Sequence, residues 1–270
     1  AKSLSCFEDT LRWIINQTDI VLHLKQNDLD YFTSFGQDAI GVIGLMSVCY
    51  DGYIRESLLK VMGSFDNAKA IPFIIIRIND WVKQVRKSAC DVFRQYLRIE
   101  YASYLVDNIP LVFNLQKCSR EDHSDTVNSV IRFLQQDETR KALLDGLNSR
   151  LTDVRKYCFE IALKIEDINK YDVLLKASKD CNPVIRYLVV QNINCIEDAA
   201  ALDMLKILEQ DKNPKIRVAS LEHITERYPQ DAHEKLINAL LDINISVRES
   251  ARYYLNKIYG FDAIAYYRDI

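Results

Sequence analysis

Glycine and proline are scarce, at seven and five among 270 residues. Both disfavour helix interiors, so their scarcity across long apolar-periodic segments predicts helix nearly throughout and argues against a turn-rich β architecture. Long hydrophobic runs are missing as well. The longest, Ile71–Ile76, meets Arg77 at once and is too short to span a bilayer, so no membrane partner is expected. Ala1–Leu11 is polar and carries Glu8 and Asp9, unlike a secretory leader. The seven cysteines (Cys6, Cys49, Cys90, Cys118, Cys158, Cys181, Cys195) form no CxxC pair and leave one over. That count argues against a disulfide framework or a thiolate zinc site; the thiols read as small buried side chains in a reducing compartment. The expected location is cytoplasmic.

Catalytic signatures are also lacking. Gly36, Gly41 and Gly44 have no lysine after them and form no phosphate loop; on an apolar helix they read as close-packing positions. There is no nucleophile elbow and no HExxH. His123, between Asp122 and Asp125, makes an acid–histidine cluster, but its polar turn reads as exposed loop. With a net charge of −3 the chain lacks the basic field common in nucleic-acid binders. No enzymatic activity, cofactor or metal is expected.

What the chain does have is a period. An Ile-Arg or Val-Arg pair returns at Arg55, Arg86, Arg155, Arg186, Arg217 and Arg248. The last four arginines are spaced by 31 residues, as are the first two. A period of that length marks an array of two-helix units, each stacked on its neighbours. Asp80, Asp180, Asp211 and Asp242 stand six residues before Arg86, Arg186, Arg217 and Arg248. An arginine in the first turn of a helix opposes the macrodipole, and an upstream carboxylate would compensate, accepting from orphan N–H groups and from the guanidinium of its own or the adjacent repeat. These pairs read as a structural ladder. Between Arg86 and Arg155 the spacing is 69, with Asn128 in place of an arginine. Ile71-Pro72 returns as Ile109-Pro110 only after 38 residues, which predicts about two extra helical turns there.

The units run over about 37–65, 66–101, 102–136, 137–166, 167–197, 198–229 and 230–259. Residues 1–36 lack the pattern and read as a helical N-terminal cap; 260–270 reads as the start of a further helix, a truncated repeat.

The recurrent Asp-x5-Arg, with Ile or Val before the arginine and Ala89, Cys158, Val189, Ser220 or Ala251 three residues after it, resembles HEAT-like repeats. The likeness is to the 31-residue type of phycobilisome lyases, and it covers about residues 37–259. It implies an all-α fold: a right-handed α-α superhelix, a HEAT- or armadillo-like solenoid of about seven repeats, whose second helices line a concave face. Two enzymatic branches offer tests. HEAT-like deoxyhypusine hydroxylases hold di-iron through repeated His-Glu dipeptides. Here only His233-Glu234 occurs, and His23, His123 and His223 lack a following glutamate. HEAT-like alkylpurine glycosylases use a basic groove with aromatic and acidic residues. Trp81, Arg86, Lys87, Asp91, Arg94 and Arg98 suggest one but match no family motif.

Two surface features remain. Lys83, Lys87, Arg94 and Arg98 lie at helical spacings on one second helix, with Arg55 and Lys60 on the preceding one. Tyr157, Tyr187 and Tyr253 lie on second helices and are apt anchors for a partner. The expected function is a non-catalytic scaffold binding a protein or peptide on its concave face, with an acidic segment favoured by the basic stripe. The site is expected near the basic stripe, where residues 99–106 project extra surface. The alternative is a nucleic-acid-binding or DNA-repair module using that stripe.

Overall fold

Turn chemistry starts the helices. Asn182, Asn213 and Asn244 accept, through their side-chain oxygens, the N–H groups of Val184, Lys215 and Ser246 at 2.9 Å. Two residues upstream of each, Asp180, Asp211 and Asp242 accept the N–H groups of those asparagines at 2.7 Å. Each Asp-x-Asn turn therefore satisfies two donors in succession at a helix entrance. Pro183 and Pro214 then occupy first helical positions, where no N–H is required.

The computed structural model describes residues 26–269. The expected cap falls largely on residues 1–25, and there, like His23 and Cys6, it lies outside the described residues. All regular elements among the described residues are helical, and no strand occurs. No described helix is long and apolar enough to cross a membrane. The chain divides into two compact units, the first ending at Ile165 and the second beginning at Glu166.

The first unit carries α1 (Gln26–Thr33), α2 (Ile40–Met46), α3 (Gly52–Phe65), α4 (Ile71–Ile78), α5 (Lys83–Arg94), α6 (Ala102–Asp107), α7 (Ile109–Asn114), α8 (Ser124–Leu134), α9 (Asp137–Gly146) and α10 (Thr152–Ala162). Helix α5 packs against both α4 and α3. Helix α4 is the most enclosed, with Ile71, Ile74, Ile75 and Ile78 wholly buried. Each such side chain contributes about 1.5–3 kcal/mol by leaving water.

The extra turns after Arg98 are a broken helix. Helix α6 stops at Asn108, and α7 restarts at Ile109-Pro110, where proline restricts the residue before it and withholds a donor. Ala102, Leu105 and Val106 are buried, and α6 packs on α9. The expectation that residues 99–106 project as added surface is corrected accordingly. Ile99 and Tyr104 stay exposed, but the apolar face of α6 is core.

The second unit carries α11 (Lys170–Ser178), α12 (Pro183–Gln191), α13 (Asp198–Leu208), α14 (Pro214–Arg227), α15 (Pro229–Ala239), α16 (Ile245–Tyr259) and α17 (Ala263–Asp269). Helices pair in order, α11 with α12, α13 with α14 and α15 with α16, while α14 also contacts α12 and α16. Gly260, at φ 60°, ends α16 in the left-handed conformation and admits the turn to α17, the further helix expected from the sequence.

Tyrosine hydroxyls tie successive helix pairs together. Tyr96 donates to the Met62 carbonyl and Tyr101 to that of Asp66, both at 2.7 Å. In the second unit Tyr228, Tyr259 and Tyr267 donate to the carbonyls of Asp198, Pro229 and Leu240. Much of the tyrosine content is thus structural, each ring packing while its hydroxyl satisfies a main-chain acceptor.

Gly146 is a close-approach position. A Cβ there would lie 2.6 Å from both Cys158 Sγ and Val106 Cγ1, in a buried setting. Gly146→Ala is expected to cost about 1–3 kcal/mol by overpacking. Gly41→Ala, where a Cβ meets nothing within 4 Å, should be neutral or mildly stabilising. Denaturant unfolding of the two variants checks this contrast.

Candidate functional site

The ladder arginines each serve two turns. Arg186 donates from Nε and Nη2 to both carboxylate oxygens of Asp211, at 2.6 and 2.8 Å. Arg217 does the same to Asp242 at 2.8 and 2.6 Å, and Arg55 to Asp80 at 2.9 and 2.8 Å. In all three the carboxylate lies 25 residues downstream. The remaining nitrogen turns back: Arg217 Nη1 donates to the carbonyls of Asp211 and Lys212 at 2.7 and 3.3 Å. Arg55, Arg86, Arg155, Arg186 and Arg248 make the equivalent bond to their own turns. Acceptors on both sides offset the unfavourable helix end, and the paired bonds to a carboxylate are the strong, oriented kind. Of the two pairings the sequence leaves open, the structure takes the adjacent repeat: the carboxylates of Asp80, Asp211 and Asp242 serve Arg55, Arg186 and Arg217, while each gives its own arginine a main-chain carbonyl.

Arg55 is also reassigned. It was expected on a partner surface, yet Arg55 and Asp80 are fully buried together, and Arg77 Nη1 donates to the same carboxylate at 2.8 Å. Arg55 is a ladder member.

In the irregular third repeat, Arg86 meets Glu121 in place of an aspartate. The hydrogen bond from Arg86 holds the Glu121 carboxyl below its ordinary pKa. Asp122 keeps the capping task and accepts the Ser124 N–H at 2.9 Å. His123 is not the exposed loop residue expected. It is buried, its Nε2 lies 3.1 Å from Asn79 Oδ1, and Arg120 donates to the Asn79 carbonyl at 2.9 Å. Burial pushes the His123 pKa below 6.5, with Glu121 and Asp122 acting upward and Arg86 downward.

The basic stripe is largely neutralised. Lys60 pairs with Glu56 at 2.9 Å and Arg94 with Asp91 at 2.6 Å. Arg98 pairs with Asp66 and, at 3.3 Å, with Glu100. Lys83 and Lys87 are exposed and form no ion pair among the described residues, although the Lys83 charge helps hold the Glu121 carboxyl down. The stripe is therefore not a continuous anion track.

The tyrosines separate. Tyr157 is half-buried and stacked on Phe113, with centroids 4.1 Å apart, so it packs and does not present a free anchor. Tyr187 and Tyr253 are exposed, Tyr253 by 56 %. Tyr187 flanks an apolar cleft of about 600 Å³ in the second unit, together with Val184, Pro214 and Ile216. Val184, also exposed, was missed from sequence. The available signal was an apolar residue in the first turn of a helix that follows a polar turn.

No group of three or more His, Cys, Asp or Glu side chains among the described residues could hold a metal ion. His233, of the single His-Glu dipeptide, packs edge-on to Tyr259 at 4.8 Å. The described residues thus do not assemble a di-iron ligand set. All six described cysteines are free, but only Cys49 and Cys158 are buried; Cys181 and Cys195 are exposed, against the expectation of buried thiols.

No protein-family model and no curated protein matches the chain. Among solved structures it is similar to human deoxyhypusine hydroxylase in complex with glycerol, at 17 % identity and a TM-score of 0.35, over 94 % of this chain and 97 % of that one. The expectation that the chain is not an enzyme is corrected on this finding, since the similar protein is an enzyme. A likeness this distant assigns no activity to this chain.

The ladder should carry stability. Arg217→Ala removes the fork to Asp242 and is expected to cost about 1–3 kcal/mol in denaturant unfolding. Burial acts to raise the carboxyl pKa of Asp211 and of Asp242, but the arginine fork, the Asn N–H bond and nearby positive charge outweigh it and leave both below 3.8. Stability from these groups is complete above 3.8 and is lost as pH falls through the lower folded values; Asp242→Asn should flatten part of that acid loss.

His123 works over a different range. Its folded pKa is lowered, so stability is full above 6.5 and declines as pH falls below it, because the unfolded chain takes up the proton more readily. Thermal midpoints measured across that range should decline less for His123→Gln than for the parent chain.

Proposed function

We propose that the chain is a protein-binding array of HEAT-like repeats, wound as a right-handed superhelix, which holds a segment of a partner protein on the second helices of its second unit. The period of 31 and the repeated arginine geometry support the array. One observation carries the binding reading: Tyr187 and Val184 are exposed beside an apolar cleft of about 600 Å³, on helices whose other faces are core. Exposed apolar surface grouped around a concavity is what a peptide-binding surface requires. Tyr253, over whose ring Lys257 Nζ lies at 5.2 Å, extends the aromatic surface onto α16. We place this role in the cytoplasm, consistent with the free thiols. The basic stripe no longer argues for an acidic partner, nor for nucleic acid, because a polyanion would have to compete with Glu56, Asp91, Asp66 and Glu100 for its cations.

Tyr187→Ala combined with Tyr253→Ala should reduce capture of the native partner by about 30-fold or more, the loss of a strong anchor, with an unchanged thermal midpoint. Equal recovery by parent and variant overturns the assignment. Titration with duplex DNA should show no salt-suppressed binding, and Lys83→Glu with Lys87→Glu should leave that result unchanged.

A further inference from the structure

The second unit carries apolar side chains on its turns where packing has no use for them. Three residues before the ladder arginine, α12, α14 and α16 place Pro183, Pro214 and Ile245. The corresponding residues of the first unit include Gly52, Lys83 and Thr152. Helix starting accounts for the two prolines, since a first helical position requires no N–H. It does not account for Ile245, which follows the same kind of asparagine cap and is 56 % exposed. Nor does it account for Val184 and Ile243, exposed by 51 % and 93 % on the same turns. Single exposed apolar side chains are ordinary, but these recur at one place in three successive repeats.

The array sets their spacing. Helix α14 packs against both α12 and α16, so the first turns of the three helices stand in a row, about 8–10 Å apart at each step. Between the first two lies the cleft of about 600 Å³, with Pro183, Val184 and Tyr187 on one side and Pro214 and Lys215 on the other. A ligand that touches the whole row must present an apolar group at about that interval. A β-strand repeats one face every two residues, about 6.6–6.8 Å, and falls out of step. An α-helix returns at i+7 after about 10.5 Å, but at about 10–12 Å across it cannot enter between helices that are themselves about 8–10 Å apart. A polyproline II segment repeats every three residues, about 9.3 Å, and stays in register. Such segments also favour grooves lined by aromatic rings, as Tyr187 lines this one.

Charge narrows the segment further. The ionisable groups that line the cleft are Tyr187 and Lys215, and Lys215 is exposed with no ion pair among the described residues. The carboxylates of Asp211 and Asp242, on these turns, are committed to the arginine forks. The edge is therefore locally positive and complements a carboxylate on the ligand.

We propose that this edge of the second unit binds a proline-rich segment of a partner protein in polyproline II form. One apolar side chain in every three sits against successive repeats, and an acidic residue faces Lys215. The assignment rests on the protein-binding reading above and supplies the conformation and composition of the segment.

The test titrates the full chain with an acetylated, amidated peptide of three Pro-Pro-Leu triplets ending in Glu, following the methyl resonances of Val184, Ile243 and Ile245. The comparisons are the same peptide ending in Gln, one with Gly-Gly-Leu triplets, and an alanine-rich helical peptide. The proline peptide should give saturable shifts at all three residues. The Gln form should bind at least about threefold more weakly, and the glycine and helical peptides at least about tenfold. Val184→Ser combined with Ile245→Ser should bind at least about tenfold more weakly with an unchanged thermal midpoint, because both side chains are exposed. If that variant fails to fold, Lys215→Gln at an exposed position should abolish the preference for Glu over Gln. No saturable shift, shifts at Val184 without Ile245, equal binding of any comparison peptide, or undiminished binding by the serine variant overturns the proposal. Partner capture through Tyr187 and Tyr253 is read separately. A negative titration with capture still lost in the tyrosine variant rejects the polyproline segment and leaves the scaffold reading standing.

Discussion

Within each unit, a guanidinium that must satisfy two turns at once governs the spacing of the helices. Its Nη1 is committed to carbonyls of the turn that starts its own helix, and its Nε–Nη2 edge to a carboxylate 25 residues on. Those residues comprise a second helix, a turn and a first helix, so the fork measures one repeat. The planar group fixes direction as well as distance, which lysine could not do. The acceptor is tightly specified in turn: each ladder Asp also caps the residue two positions on, which pins its carboxylate before the arginine arrives. Where extra residues enter after Arg98, the chain breaks its first helix at Asn108, and the longer Glu121 takes over from aspartate. The insertion is absorbed in a helix break, and the contact is kept by one extra methylene.

Burial of this contact varies, and with it the energetic meaning. Arg217 and Asp242 keep 12 % and 16 % of their side chains exposed, so desolvation is partial and the paired bonds are net favourable. Arg55, Arg77 and Asp80 are wholly enclosed. There the desolvation of three charges offsets much of the Coulombic gain, and the group acts chiefly to fix register, because any misaligned packing leaves a buried charge unanswered.

The period and the all-helical architecture were legible in the sequence because each is local or strictly recurrent. The arginine–carboxylate pairing was legible only as two alternatives, the arginine of the same repeat or of the adjacent one. Asp211 and Arg217 are six apart in sequence, yet the carboxylate belongs to Arg186, a choice made by stacking and invisible in either turn alone. The basic stripe shows the same limit. Arg94 and Arg98 do lie on or just beyond one helix, but what neutralises Arg98 comes from Asp66, at the left-handed end of α3, and from Glu100. Helical spacing places charges on a face and says nothing of what a neighbouring turn sets against them. His123 was misread for a related reason: a polar turn is exposed unless another turn covers it, and Asn79 with Arg120 does so here.

The same periodicity frames the ion pair of Glu209 and Lys235, whose side chains are mostly buried. At the equivalent positions Leu147, Leu240, Val173 and Met204 make buried apolar contacts, while Ser178 shows that a polar residue is also accepted there. Nearest-neighbour energetics also explains how such a departure is tolerated, since its cost falls on one interface while the Arg186 and Arg217 forks still hold the adjoining turns. A polar substitution inside one helix-pair interface is thus borne locally, and the forks on either side keep the helix spacing that the guanidinium geometry sets.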